Sequence, residues 1–210
     1  MINLVPFSST PVDYATLVDL LGNYKSPKDK IAAMEQKGEL IRVKKGLYIV
    51  APRQGSAFVS RKLIANHLYG PSYVSLESAL AFHQLIPERV YSVRSVTIKR
   101  TKSYNTPLGV FDYRRISEAY YPIGVQQYES DNNTNFLIAS PEKALCDMLV
   151  VSSRLRLQSP KAVKEYIEDN LRIDLTERKN WNVEIIQECA QVGIKKQVLS
   201  HLIKVIQDNE

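Results

Sequence analysis

Apolar positions near the start of the chain repeat every three to four residues, as Tyr14, Leu17 and Leu21 do. Such a spacing places one apolar stripe along a helix, whereas strict alternation of apolar and polar residues indicates a strand. The pattern therefore predicts two helices, over residues 12–21 and 27–37, separated by a short polar turn.

Four Ser-Pro or Thr-Pro pairs predict where helices begin. They start at Thr10, Ser26, Ser140 and Ser159. The hydroxyl of Ser or Thr accepts a hydrogen bond from a free N–H group of the first turn, and proline suits the first helical position. We therefore expect a helix directly after each pair.

Two short runs of strand-forming residues, 40–43 and 47–50, flank the Lys-Lys-Gly sequence at 44–46. Gly46 can adopt the positive φ that a tight hairpin requires. Gly38 can end the preceding helix in the same way. A winged helix-turn-helix has this order of elements, two helices followed by a basic hairpin. The sequence therefore predicts that fold for roughly the first 50 residues.

The rest of the chain predicts a second, mixed domain. Residues 51–56, Ala-Pro-Arg-Gln-Gly-Ser, have the composition of a linker. Beyond them, the periodicity predicts helices over residues 61–68 and 75–83, strands over 92–100, 108–113, 119–125 and 135–139, and a helical tail over 160–210. The expected fold is α+β, with a winged helix-turn-helix at 1–52 and a mixed α/β domain ending in helices at 56–210.

Positive charge is concentrated in the first half of the chain. Residues 1–105 hold 15 Lys and Arg against 7 Asp and Glu, a balance of +8, whereas residues 106–210 hold 13 against 15, a balance of −2. This asymmetry indicates that the first half faces a polyanion.

The composition indicates a cytoplasmic protein with no membrane partner. No apolar run is long enough for a transmembrane helix, and residues 1–10 do not resemble a signal peptide. Cys146 and Cys189 lie among apolar neighbours in helix-like segments, which predicts buried thiols in a reducing compartment.

The second helix has the composition expected of a recognition helix. Ile31 and Met34 face the core, while small and polar residues occupy the opposite face with lysines at its flanks. Lysines contact phosphates, whereas Gln36 can pair with adenine in the major groove. The predicted contacts with double-stranded DNA are Ser26, Lys28, Lys30, Gln36 and Lys37 from the helix and Arg42, Lys44, Lys45 and Tyr48 from the wing.

Two polar clusters suggest catalysis but fit structural roles better. One contains Ser75, Glu77 and Ser78; the other contains Ser140, Glu142, Lys143 and Asp147. In the second cluster, Glu142 complements the helix dipole, and Lys143 and Asp147 have the spacing of an ion pair on a helix surface. We therefore expect no catalytic residue.

The sequence contains no motif for a metal or a cofactor. His67, His83 and His201 are scattered, and neither cysteine has a metal-binding spacing. No phosphate-binding glycine loop is present. A metal-dependent nuclease stays open as an alternative, because a site built from Glu77, Glu142 and Asp147 would need no local motif.

Three groups of motifs resemble AbiEi-type antitoxins, the transcriptional regulators of the AbiE type IV toxin–antitoxin systems. The first lies in the wing, with KGELIR at residues 37–42 and KGLY at 45–48. GPSYVSLESAL at 70–80 resembles the family's P-x-Y-[IV]-S-x-x-S-A-L motif, and ASPEKALCD at 139–147 resembles A-x-P-E-K-A-L-x-D. The resemblance covers about residues 12–150.

The resemblance implies a repressor that binds repeats upstream of its own operon. It also implies that the protein counteracts a nucleotidyltransferase-like toxin without forming a stable complex. A single winged helix reads a short half-site, so a dimer or paired binding on a repeat is expected. A protein-interaction module built on a winged-helix scaffold stays open as the main alternative.

Overall fold

The computed structural model describes residues 4, 7–52, 59–130, 134–152, 156–175 and 181–208. Its helices are α1 Tyr14–Leu20, α2 Pro27–Gln36, α3 Arg61–Leu68, α4 Leu76–Phe82, α5 Pro141–Val151, α6 Pro160–Glu165, α7 Val183–Val192 and α8 Lys196–Gln207. Its strands are β1 Val12–Asp13, β2 Leu40–Lys44, β3 Leu47–Val50, β4 Ser72–Val74, β5 Val93–Thr97, β6 Lys102–Thr106, β7 Gly109–Arg115, β8 Val125–Ser130 and β9 Thr134–Ala139. A π-helical turn, Tyr166–Asn170, continues α6.

The protein has the predicted α+β fold, with an N-terminal winged helix-turn-helix followed by a mixed domain that ends in helices. Helices α1 and α2 precede the β2–β3 hairpin, and β1 completes an antiparallel sheet in the order β1-β3-β2. Gly38 and Gly46 adopt φ values of 70° and 83°, as the helix end and the hairpin tip require.

Local capping sets where the first two helices begin. The expected cap of α1 at Thr10 is wrong, because residues 12 and 13 pair with β3 and the carboxylate of Asp13 accepts the Thr16 N–H at 2.8 Å. In α2 the cap is the expected one: the Ser26 hydroxyl accepts the Asp29 N–H at 3.4 Å, and Pro27 occupies the first turn.

The hairpin of the winged helix is buried on both faces. In β3, Tyr48 and Val50 pack with the residues of α1 and α2, whereas Leu47 and Ile49 belong to the large core of the second domain. Strand side chains alternate between two faces, so one short sheet supplies both cores. Of the predicted linker at residues 51–56, residues 53–56 lie outside the described residues.

The second domain is built on a six-stranded sheet with the order β6-β7-β5-β4-β9-β8. Strands β4 and β9 pair in parallel, as do β5 and β7. The strands expected over 92–100, 108–113 and 135–139 are present as β5, β7 and β9. The one expected over 119–125 is wrong: residues 119–124 form turns that bury Tyr120, and β8 starts only at Val125.

Helices α6, α7 and α8 make up most of the C-terminal part of the chain, but the predicted tail at 160–210 is not helical throughout. Residues 171–175 form an extended and turning segment between the π-helical turn and α7. On α7 the buried positions are Ile186 and Cys189, whereas Val192 at its end is 42% exposed. Within the described residues no helix is long and apolar enough to cross a membrane.

Candidate nucleic-acid interface

Helix α2 presents a polar face to solvent and an apolar face to the core. Ile31 and Met34 are buried against α1 and the hairpin. On the other side Lys28, Gln36 and Lys37 are exposed. Ala32, between them in projection, is also exposed, and its small side chain leaves the helix surface open. The sequence-based orientation of this helix is therefore confirmed.

Two of the predicted helix contacts are partly engaged within the protein. The Ser26 hydroxyl caps α2, and the amine of Lys30 lies 5.2 Å from the centre of the Tyr24 ring, a cation–π distance. Both residues are half-buried. The amine of Lys30 therefore lies beside Tyr24, in the turn that precedes α2.

The wing divides its predicted contacts between solvent and protein. Arg42 and Lys45 are exposed, with Lys45 at the hairpin tip beside Gly46. Lys44 is half-buried, and its amine donates a hydrogen bond to the carbonyl of Leu68 at the end of α3. Lys44 therefore points towards the second domain and away from the tip.

Tyr48 is a correction to the predicted site. Its side chain is 5% exposed and packs in the core under α1 and α2. Burial raises the pKa of its phenol. The alternation of β3 places position 48 on the helix-facing side, so this ring stabilises the winged helix and is not available to DNA.

A second polar group, on α5, lies deep in the protein. Lys143 and Asp147 are both fully buried, with 3.3 Å between Nζ and Oδ1. This corrects the expectation of an ion pair on a helix surface. Strand β4 supplies one partner and the residue after it another: the hydroxyls of Tyr73 and Ser75 donate to Asp147 Oδ2 at 2.9 and 2.6 Å.

At the Lys143 end of this network the partner is Tyr120. The Lys143 amine donates to its carbonyl at 2.8 Å and lies 3.2 Å from its ring centre. Burial raises the pKa of Asp147, although the charge of Lys143 and the hydrogen bonds of Ser75 and Tyr73 oppose that shift. Because none of these groups reaches solvent, the arrangement fixes α5 to the sheet and offers no access to a substrate.

The three carboxylates of the alternative nuclease site have separate partners. Glu77 pairs with Arg94, Glu142 Oε1 accepts the Asn182 N–H at 3.2 Å, and Asp147 belongs to the buried network. Across the described parts of the chain no group of three His, Cys, Asp or Glu side chains could hold a metal ion. The geometry gives the nuclease alternative no support.

The remaining cluster serines also have structural partners. Ser140 Oγ caps α5 by accepting the Lys143 N–H at 3.2 Å. Ser78 Oγ accepts the Arg94 N–H at 2.8 Å and donates to the Ser92 carbonyl at 3.1 Å. Cys146 and Cys189 are free and buried, as expected.

Comparison with known proteins identifies the fold alone. No protein-family model matches the sequence, and no curated protein matches it. Among solved structures, the crystal structure of the RV2827C protein from Mycobacterium tuberculosis is similar, with a TM-score of 0.55 and 12% sequence identity over 99% of this chain and 79% of that chain. At that identity, the similarity concerns architecture and carries no function.

Proposed function

We propose that this protein is a sequence-specific, double-stranded-DNA-binding transcriptional regulator without catalytic activity. The observation that carries the proposal is the exposed polar face of α2 together with the exposed cations of the hairpin. Lys28, Gln36 and Lys37 lie on that face, and Arg42 and Lys45 are exposed on the wing. Cationic side chains at both places suit the phosphates that flank a major groove.

We further propose an AbiEi-like role as a cytoplasmic, autoregulating repressor and antitoxin. Two of the three groups of motifs that carry the resemblance meet in space, which supports the proposal. Tyr73 and Ser75 from the motif at residues 70–80 donate hydrogen bonds to Asp147 from the motif at 139–147. A shared buried network is a reason for both motifs to occur in one chain. The antitoxin activity would act on a nucleotidyltransferase-like toxin.

The alternative is a protein-interaction module that uses the same winged-helix surface. Salt dependence separates the two functions. Binding through several phosphates releases counterions and weakens steeply as salt rises. An interface of mainly apolar contacts depends far less on ionic strength. The polar composition of the exposed face of α2 favours DNA.

The test is a titration of the protein on its own upstream DNA and on scrambled DNA at two salt concentrations. The variant Lys28→Ala/Lys37→Ala/Lys45→Ala removes three exposed cations of the proposed interface. Its control, Lys161→Ala/Lys196→Ala/Lys204→Ala, removes three exposed cations from α6 and α8 and leaves the same net charge.

We expect salt-sensitive, selective binding that the interface variant loses and the control variant keeps. Binding with no preference for the upstream DNA would overturn sequence-specific regulation. Equal losses in both triple variants would show that net charge, and not this surface, governs binding.

A further inference from the structure

Three lysines from two parts of the fold converge beside the wing. Lys44 ends β2, Lys99 follows β5, and Lys102 begins β6, the edge strand of the large sheet. They surround two tyrosine rings, Tyr69 and Tyr104, whose centres are 5.7 Å apart. We call these five residues the joint cluster.

The rings hold the amines close together. The Lys102 amine lies 4.7 Å from the centre of the Tyr104 ring and 5.7 Å from that of Tyr69. The Lys99 amine lies 5.5 Å from the Tyr69 ring, and the Lys44 amine 6.0 Å from the Tyr104 ring. The electron-rich faces of the rings stabilise cations at such distances.

Within the described ranges, the lysines of the joint cluster have no ion-pair partner. Lys44 and Lys99 donate instead to neutral carbonyls, those of Leu68 and Gly70. Burial lowers the pKa of Lys44, and the charges of Lys99 and Lys102 lower it further.

A concentration of like charges of this kind favours an anionic ligand. Lys99 and Lys102 are exposed, so a ligand can reach them from solvent. Lys44 is the chain neighbour of Lys45, at the tip of the wing. The proposed DNA contact at the tip and the joint cluster are therefore adjacent along the chain.

We propose that the joint cluster binds backbone phosphates of the DNA on the side of the wing that faces the second domain. The second domain would then form part of the DNA interface. This inference rests on the proposed function. Phosphate contacts add affinity and salt dependence without sequence information. The joint cluster would therefore lengthen the footprint without changing which bases are read.

The test measures the dissociation constant for the upstream DNA over a range of salt concentrations. The variant Lys99→Ala/Lys102→Ala removes two cations of the joint cluster and leaves the winged helix untouched. The slope of log K against log salt is negative, and each lost phosphate contact lowers its magnitude by about 0.9. We expect a slope whose magnitude is smaller by about 2, weaker binding, and an unchanged preference for upstream over scrambled DNA.

Two further variants show whether charge at this place is responsible. Lys99→Arg/Lys102→Arg keeps both charges and should restore the slope. Lys196→Ala/Lys204→Ala removes two exposed cations from α8 and should leave it unchanged. A slope that stays at the wild-type value in Lys99→Ala/Lys102→Ala overturns the inference, as does an equal decrease in the α8 variant.

The outcomes separate this inference from the proposed function. If the wild type selects its upstream DNA and Lys28→Ala/Lys37→Ala/Lys45→Ala abolishes that binding, the proposed function is supported whatever the result for the joint cluster. If Lys99→Ala/Lys102→Ala then binds like the wild type, the joint cluster alone is refuted. A wild type that does not select its upstream DNA overturns both.

Discussion

Lys143 and Asp147 form an ion pair within one turn of α5, with both side chains completely buried. Removing two charges from water is costly, and further hydrogen bonds to Asp147 Oδ2 and from the Lys143 amine offset part of that cost. Tyr73, Ser75 and the Tyr120 carbonyl supply those contacts. The network joins α5 to β4 and to the turn before β8.

Breaking this pair should destabilise the protein severely. We expect Asp147→Ala to lower the free energy of unfolding by about 3–5 kcal/mol, because the buried ammonium of Lys143 loses its counterion. Urea denaturation measures the change. Lys161 and Glu165 have the same spacing on α6 but are exposed, at 3.8 Å. Glu165→Ala should therefore cost less than about 0.5 kcal/mol, and similar losses in both variants would contradict the account.

The winged helix could be predicted from sequence because its signals are local. The Ser26-Pro27 cap, Gly38 and Gly46 each specify a backbone conformation within a few residues. The two helices and the hairpin follow from these positions and from apolar spacing. The exposed face of α2 could be predicted for the same reason.

The buried network could not be predicted, because a Lys and an Asp four residues apart have the same spacing on a surface and in a core. Burial of Lys143 depends on Tyr73, 70 positions earlier in the sequence, and on the turn at Tyr120. The same limit applies to Lys44, whose acceptor is the distant Leu68 carbonyl. Strand β6 was missed because its sequence, KSYNT, is polar, as suits an edge strand.

Gly124 occupies a position that no larger residue fits. Its φ is +62°, and an added Cβ would lie 2.8 Å from Ile185 Cγ2 and 2.9 Å from Lys143 Cβ. Gly38 has a similar φ of +70° but nothing within 4 Å of an added Cβ. The two glycines therefore separate backbone strain from steric overlap.

We expect Gly38→Ala to cost about 1–2 kcal/mol, the strain of a left-handed conformation in a residue with a Cβ. Gly124→Ala should cost about 1–3 kcal/mol more, because the core around Lys143 has to shift. Equilibrium unfolding of both variants in urea measures the difference. Equal losses would show that the packing around Gly124 yields without cost.

The second face of the hairpin should couple the winged helix to the rest of the protein. Ile49 is fully buried in the large core. We expect Ile49→Ala to lower the free energy of unfolding by about 2–5 kcal/mol. A fluorescence signal from the second domain, whose described residues include Trp181, and a probe placed in α1 should report the same transition. Two separate transitions would contradict the shared core.

The cap of α1 makes part of the stability dependent on pH. The Asp13 carboxylate accepts the Thr16 N–H, and this hydrogen bond lowers its pKa below the ordinary value of 3.8. The folded state therefore favours the ionised form. The stabilisation is complete above the unfolded pKa and is lost as the pH falls through the lower, folded value.

Asp13→Ala should accordingly cost about 1 kcal/mol at neutral pH, and the cost should shrink as the pH falls below 3.8. Urea denaturation of the wild type and the variant at several pH values measures this difference. Asp13→Asn keeps a capping oxygen that does not titrate, so the difference between the Asn and Ala variants should stay constant with pH. A constant difference between the wild type and Asp13→Ala would mean that the carboxylate charge contributes nothing, because a neutral cap would then account for the whole effect.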